Sequence, residues 1–207
     1  MIRFVLASSS PARLATLRTA GVDPQVVVTG VDEDAVLAAA VEERGKLTPA
    51  ESALLLARAK AESVRAEGTL VLGCDSVLEL DGQAYGKPAD AAEAVDRWRA
   101  MRGRSGVLHT GHWLVDNRAT TGSRRTGDVA STTVHFADIT DEEIEAYVAT
   151  GEPLRVAGAF TIDGLGGPFV TGVEGDHHAV VGLSLSLLRV LLAEYGIGWH
   201  SLWSPAR

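Results

Sequence analysis

The 207-residue sequence has a single cysteine, Cys74, which excludes a disulfide framework and favours a reducing compartment. It also lacks any apolar run long enough for a signal peptide or a membrane span. Basic residues are fewer than acidic ones, and the formal net charge is −8. This argues against a broad nucleic-acid-binding surface, which needs a basic face. These absences predict a cytoplasmic protein with neither a membrane nor a nucleic acid as its partner.

Several ligand-binding motifs are missing as well. The P-loop pattern G-x-x-x-x-G-K-[S/T] does not occur, which argues against a P-loop kinase. We find no zinc-ligand spacing, internal repeat or low-complexity segment. His177 and His178 are adjacent, and because neighbours in a strand face opposite ways we assign them no metal. The hydrophobic content of 46% suffices for one core, so we predict a single domain over residues 1–207.

The most informative stretch is Gly73-Cys74-Asp75-Ser76. It ends an apolar run at residues 69–73 that predicts a buried strand, and Asp75 stands where such a strand normally has Val or Leu. Residues 77–80 continue as a strand, and Asp81-Gly82 predicts a two-residue hairpin turn. Cys74 has no histidine partner in the sequence, so we interpret it as a small buried residue beside a site.

A regular hairpin at this turn predicts that Ser76 faces Lys87. Asp75 then faces Pro88, so that a carboxylate and an ammonium group are neighbours at one end of the ribbon. A bend near Gly86 is needed to turn both groups toward one ligand. A surface ion pair without chemistry is the alternative interpretation.

A second candidate site lies at the N-terminus. Residues 4–7 predict a strand, and Ser8-Ser9-Ser10-Pro11 then opens a helix that Ser10 is suited to cap. Such a turn presents backbone N–H groups and the positive end of a helix dipole to a phosphate, with Arg13 as an added cation. A well-capped helix with no ligand is the alternative.

Two further segments carry charged candidates. Asp32-Glu33-Asp34 follows a predicted strand at residues 25–29 and indicates a solvated turn, a helix start or carboxylates for a divalent cation. A capping box at Thr48 predicts a helix from there to about residue 67. Lys60 borders its apolar stripe and either extends to water or enters a cleft. The predicted buried stripe consists of Leu54, Ala57, Ala61 and Val64.

The second half of the chain continues the alternation of helices and strands. Capping boxes at Asp90 and Thr140 predict two helices, and residues 107–115 and 128–137 predict strands. The basic connection at residues 117–127 is predicted to be a mobile loop. Residues 155–182 are rich in glycine, which permits either close approach of the backbone to a ligand or a series of turns.

Five motifs in order along nearly the whole chain resemble the Maf family of nucleoside triphosphate pyrophosphatases. They are L-A-S-S-S-P-A-R, V-D-E-D, A-R-A-K, G-C-D-S followed by G-K-P, and V-A-G-A-F-T-I-D-G-L-G with V-V-G-L. Many members carry two arginines after the proline of the first motif. Here the first of these positions is Ala12, and only Arg13 matches.

The resemblance implies an α/β fold of Maf/ITPase-like type: an elongated mixed β-sheet flanked by helices, with two lobes, a central cleft and commonly a homodimer. It also implies a hydrolase acting on acid anhydrides, which converts a nucleoside triphosphate to a monophosphate and pyrophosphate with Mg²⁺ or Mn²⁺. A nucleotidyl transferase and a non-catalytic nucleotide-binding regulator of cell division remain as alternatives.

The resemblance assigns roles to individual residues. The expected catalytic residues are Asp75, Lys60 and Lys87. The expected metal ligands are Glu33 and Asp75. The expected substrate contacts are Ser8, Ser10, Arg13, Ser76 and Asp163.

Asp163 bears on the choice of base. Members resembling the thymidine and uridine nucleotide enzymes have glutamine at this position, which offers both a donor and an acceptor. An ionised aspartate only accepts, which suits the amine of cytosine or the N1–H and amine of a guanine-type base. We therefore expect 7-methyl-GTP or CTP to be preferred to dTTP. Alternatively, Asp163 only caps a glycine turn.

Overall fold

The computed structural model describes residues 2–119 and 122–204. The strands are β1 (Arg3–Ala7), β2 (Gln25–Val26), β3 (Thr69–Leu80), β4 (Gln83–Tyr85), β5 (Ser105–Asp116), β6 (Arg124–Phe136) and β7 (Val170–Glu174). The helices are α1 (Pro11–Thr19), α2 (Glu33–Arg44), α3 (Pro49–Ser63), α4 (Ala91–Met101), α5 (Asp141–Ala149), α6 (His177–Val181) and α7 (Leu185–Glu194). No helix in these ranges combines the length and apolar character needed to cross a bilayer.

The strands form one mixed sheet in the order β2-β1-β3-β5-β6-β7, with β4 paired to β3. β1 runs parallel to β2 and β3, whereas β5, β6 and β7 continue the sheet by antiparallel pairing. β3, β5 and β6 have 12 or 13 residues each, so the sheet is elongated along these strands. The predicted α/β class with an elongated mixed sheet is confirmed.

Two apolar clusters pack on one face of this sheet and form two lobes. One joins Leu72 of β3 to helices α1 and α7, and the other joins Leu78 of β3 to Trp98 of α4 and Tyr147 of α5. Alternate residues of a strand share a face, so Leu72 and Leu78 lie on the same side. Cys74 belongs to the first cluster, and Asp75-Ser76 follows it before the second cluster begins at Leu78. The space between the lobes therefore opens beside these two residues.

Helix α3 covers the opposite face of the sheet at very short range. A Cβ atom at Gly73 would lie 2.2 Å from the carbonyl oxygen of Ala57, and one at Gly111 would lie 2.4 Å from that of Ala53. Real Cβ atoms essentially never show such contacts, so only glycine fits at these two positions. The helix backbone thus rests directly on β3 and β5, with alanines facing the sheet.

The buried face of α3 differs from the predicted stripe. Leu54 and Val64 are only partly buried, whereas Ala53, Leu56 and Lys60 are buried. Ala57 and Ala61 are buried as predicted. The prediction was wrong for Leu54 and Val64, because glycines in the sheet allow small residues of the helix to make the contact. The helix also ends at Ser63 rather than near residue 67, since the next residue is extended.

Other elements depart from the prediction locally. Regular pairing of β2 stops at Val26, and β3 is one continuous strand from residue 69 to 80 rather than two pieces. β6 already begins at Arg124, because Arg118 and Arg124 both bind the buried carboxylate of Asp116. The predicted mobile connection is therefore largely ordered, and its residues 120 and 121 lie outside the described ranges.

Candidate active site

A cleft of about 830 Å³ opens between the two lobes. This volume is in the range of small-molecule sites, which run from roughly 300 to 1,000 Å³. All the residues that the sequence suggested for catalysis, metal binding or substrate binding line this cleft: Ser8, Ser10, Arg13, Glu33, Lys60, Asp75, Ser76, Lys87 and Asp163.

The partner predicted for Asp75 was wrong. The hairpin turn is where the sequence placed it, with Leu80 paired to Gln83, but β4 ends at Tyr85. Asp75 and Ser76 therefore pair with Gly111 and Thr110 of β5 and not with Pro88 and Lys87. The chain leaves the sheet at Gly86 because its carbonyl group turns to accept hydrogen bonds from Arg97 and from Gly158 N–H.

The partner of Asp75 is Lys60 of α3. Its Nζ lies 2.5 Å from Asp75 Oδ1 and 2.8 Å from Oε1 of Glu33, at the start of α2. Asp75 and Lys60 are 8% and 9% exposed, whereas Glu33 is exposed to the cleft. Lys60 thus reaches into the cleft, as one of the two predictions for it proposed, and it joins the two predicted metal ligands.

Burial is the main influence on the acidity of Asp75. It raises the pKa of the carboxyl group, and the positive charges of Lys60 and Arg13 oppose that rise. A carboxylate with a raised pKa is a better proton acceptor than one in water. The structure therefore holds a buried carboxyl group with a raised pKa, and its orientation is fixed by one lysine.

The serine turn at the start of α1 has the predicted cap. Ser10 Oγ accepts the backbone N–H of Arg13, and Ser8 Oγ accepts that of Ser10. In each case the hydroxyl oxygen is the acceptor, so both hydroxyl groups keep a proton to donate. The turn thus offers two O–H donors to the cleft beside the positive end of the helix.

Arg13 has a different environment from the one the sequence suggested. Its side chain is 8% exposed and donates to the carbonyl groups of Cys74 and Gly182 and to the hydroxyl groups of Ser8 and Ser76. An arginine has five N–H donors, so these four contacts leave at most one for a ligand. Arg13 mainly fixes the serine turn, β3 and the end of α6 to one another.

Asp163 lies in the glycine-rich part of the cleft wall and is exposed. The turn that follows it is capped by Glu152, whose carboxylate accepts the N–H groups of Leu165 and Gly166 and the hydroxyl of Thr161. Within the described residues, the Asp163 side chain makes no hydrogen bond to this turn. The capping role considered for Asp163 is therefore taken by Glu152.

Two other groups with possible chemistry have local roles. Burial raises the pKa of the Cys74 thiol to about 12, which makes it a poor nucleophile and supports our interpretation of it as a buried neighbour. Asp176, His177 and His178 bring their potential ligand atoms within 4.8 Å of one another, because the histidines begin a helix and not a strand. Asp176 already accepts from two serine hydroxyls and caps α6, and we assign no metal there.

The sequence did not single out several residues of the cleft. They are contributed mainly by the start of α2 and by the glycine-rich segment, and they include Thr29, Leu37, Arg155 and Phe160. Arg155 directly precedes the motif V-A-G-A-F-T-I-D-G-L-G. This position next to a family motif is the only feature of the sequence that could have identified it.

Comparison with known proteins assigns the family. The family model described as Maf-like protein matches residues 3–195. A protein of Streptomyces coelicolor named nucleoside triphosphate pyrophosphatase is 59% identical over 99% of this chain and 96% of its own length. Proteins with the same name from Salinispora tropica and Mycobacterium marinum are 58% and 49% identical, covering 98% and 99% of this chain and 88% and 98% of their own. The chain therefore belongs to the family of Maf-like proteins.

Proposed function

We propose that this Maf-like protein hydrolyses a nucleoside triphosphate to a monophosphate and pyrophosphate in the cleft between its lobes. The name shared by its relatives supports this activity, which is that of a hydrolase acting on acid anhydrides. The observation that carries it in this chain is the buried Asp75, oriented by Lys60 and facing the cleft.

Asp75 acts in this proposal as the base that orients and deprotonates a water molecule. The water oxygen forms a bond to the α-phosphorus, the bond from that phosphorus to the bridging oxygen breaks, and pyrophosphate leaves. The proton passes to Asp75, whose raised pKa favours acceptance. Lys60 keeps the carboxylate in place and contributes positive charge where negative charge develops.

Mg²⁺ or Mn²⁺ is the cofactor that we propose, and the chemistry of the donor set fits it. Hard divalent cations take carboxylate oxygens together with water and substrate phosphates. Asp75 and Glu33 each use one oxygen on Lys60, and the second oxygen of each accepts no hydrogen bond from the described residues. When bound, the cation supplies charge that screens the triphosphate.

The serine turn and Lys87 are the proposed contacts to the phosphates. Ser8 and Ser10 have free hydroxyl protons, and Lys87 is an exposed cation in the cleft wall. Ser76 is less available, because its hydroxyl group already interacts with Arg13 and Thr110. We therefore give Ser76 and Arg13 the role of positioning the turn rather than that of direct phosphate binding.

The products test the reaction itself. We expect purified protein with Mg²⁺ to release pyrophosphate and a monophosphate in equal amounts, and a chelator to abolish the activity, because the uncompensated triphosphate repels two carboxylates. Chromatography of the nucleotides with a pyrophosphate assay measures both products. Orthophosphate with a diphosphate as primary products would indicate attack at the γ-phosphorus. Transfer of the nucleotidyl group or binding without turnover would support the alternatives.

We further propose that the preferred base is 7-methylguanine or cytosine and not thymine. Asp163 supports this proposal because its carboxylate faces the cleft and is not used to cap the neighbouring turn. Ala12 also lines the cleft, and its small side chain leaves room for a large or methylated base.

Replacing Asp163 by glutamine is expected to move this preference toward dTTP by roughly one to two orders of magnitude. The reason is that a bound base would cover Asp163, and mispairing a polar group that is buried costs about 1–3 kcal/mol. The measurement is kcat/KM for 7-methyl-GTP, CTP and dTTP in both proteins. Asp128→Gln, which alters an exposed aspartate outside the cleft, is the control. A preference that does not move, or a wild type that already prefers dTTP, contradicts the assignment and leaves the hydrolysis intact.

A homodimer in the cytoplasm, without a nucleic-acid or membrane partner, completes the proposal. The net charge of −8 and the single cysteine support the compartment and the absence of nucleic acid, and the family resemblance supports the dimer. Light scattering after gel filtration tests the dimer, since a mass of one subunit at micromolar concentration excludes it.

A further inference from the structure

The cleft has fewer available cations than its lining residues suggest. Four N–H groups of Arg13 bind protein acceptors, and Lys60 is paired with both Asp75 and Glu33. A nucleoside triphosphate brings about four negative charges, and the strongest phosphate contacts come from charged donors that are not already used. Among the described residues of the cleft, Lys87 and Arg155 are the cations whose side chains form neither an ion pair nor a hydrogen bond.

Arg155 is presented by a short turn whose position is fixed. It ends the 3₁₀ helix Pro153–Arg155, which leads into a second one at Ala157–Ala159. The N–H of Gly158 in that second turn donates to the carbonyl of Gly86, the residue before Lys87, at 3.0 Å. The turn that directly follows Arg155 is thus hydrogen-bonded to the residue that precedes Lys87.

Arg97 of α4 forms a second hydrogen bond to the carbonyl of Gly86. It is 5% exposed, and it also donates to Glu93. Its charge is therefore used to fix the Gly86 turn and is not offered to the cleft. Arg155 and Lys87, by contrast, are exposed, and neither forms an ion pair within the described residues.

We propose that Arg155 is a substrate-binding residue that, together with Lys87, binds the polyphosphate of the nucleotide. Guanidinium groups form forked, charge-assisted hydrogen bonds to phosphate oxygens. Two cations that flank one hydrogen-bonded junction, that of Gly158 with Gly86, suit a ligand with several adjacent phosphates. The inference rests on the proposed function, since it names a further contact in the same cleft.

The test compares Arg155→Ala, Arg155→Lys and the control Arg189→Ala, which removes an exposed arginine of α7 outside the cleft. We expect Arg155→Ala to raise KM and to weaken competitive inhibition by inorganic pyrophosphate, each roughly tenfold, with little change in kcat. Arg155→Lys should recover part of the affinity. Arg189→Ala makes the net charge of the protein more negative by the same amount and should change neither value.

Comparing ligands with and without phosphates shows whether Arg155 contacts the phosphates or the nucleoside. Arg155→Ala should weaken the binding of pyrophosphate and triphosphate but leave that of the nucleoside itself unchanged. Unchanged KM and pyrophosphate inhibition in Arg155→Ala, or equal effects from Arg189→Ala, would overturn the inference. If the wild type cleaves no triphosphate, the proposed function fails, and calorimetry with Mg²⁺-pyrophosphate on the same variants still tests Arg155.

Discussion

Asp75→Asn is expected to lower the turnover of a nucleoside triphosphate by at least ~10²-fold. Asparagine keeps the shape of the side chain but cannot accept the proton of the attacking water, and it removes one negative charge from the metal site. Nucleotide affinity should fall much less than turnover, because the serine turn and Lys87 are unchanged. Steady-state kcat and the dissociation constant of a non-hydrolysable nucleotide analogue measure the two effects separately.

The control for this variant is Asp96→Asn, which alters an aspartate of α4 with a side chain that is 78% exposed. Its turnover should equal that of the wild type. Near wild-type turnover in Asp75→Asn would show that another group activates the water. Thermal denaturation shows whether the variant is folded. If Asp75→Asn melts at the same temperature as the wild type, its lost turnover is due to chemistry and not to unfolding.

The stability of the protein is expected to fall by about 3 kcal/mol between pH 7 and pH 4 through His112 alone. This histidine of β5 is fully buried. Burial lowers its pKa from 6.5 to about 4, against the opposing influence of its hydrogen bond to the Thr110 carbonyl. Nε2 accepts the N–H of Ser184 at 2.8 Å, an interaction that only the neutral ring permits.

The direction of this change in stability follows from the number of protons bound in the folded and unfolded states. Between pH 6.5 and about 4 the unfolded chain binds a proton on His112 that the folded chain does not, so the free energy of unfolding decreases as the pH falls. Well above pH 6.5 both states are neutral at this position, and its effect on stability is constant. Urea unfolding at a series of pH values measures the slope.

His112→Gln isolates this effect from the titration of the carboxylates. Glutamine keeps a donor for the Thr110 carbonyl and an acceptor for the Ser184 N–H but does not titrate. The variant should lose less stability than the wild type between pH 7 and pH 4.5, whereas the control His200→Gln, at an exposed histidine, should follow the wild type. Parallel curves for wild type and His112→Gln would exclude His112 as the source.

Local features of this fold could be predicted from the sequence. Ser10, Thr48, Asp90 and Thr140 all cap helices as their spacing indicated, and Asp81-Gly82 makes the expected turn. These features depend on interactions between residues only a few positions apart, so a short segment of sequence includes every residue that takes part. The start of α2 was one of the interpretations of Asp32-Glu33-Asp34, but the extent of this helix was not predicted, because it has one buried residue. Helix α6 was not predicted, because it has five residues.

The candidate site was predicted as a set of residues but not as a set of contacts. Every suggested side chain lines the cleft, yet the partner of Asp75 is Lys60 and not the hairpin lysine. The error has a physical origin. Strand pairing in a hairpin stops where groups distant in sequence form hydrogen bonds with the backbone groups that would otherwise pair. Here Gly158 and Arg97 compete for the carbonyl of Gly86 and turn the chain away.

The two glycines beneath α3 also determine which substitutions the enzyme tolerates. At Gly73 and Gly111 the missing side chains set how near Lys60 comes to Asp75, because the backbone of α3 touches β3 and β5 there. Even one methyl group must separate the helix from the sheet and lengthen the distance between the ammonium and the carboxylate. A random mutagenesis screen for lost activity should therefore recover substitutions at two positions that never meet the nucleotide.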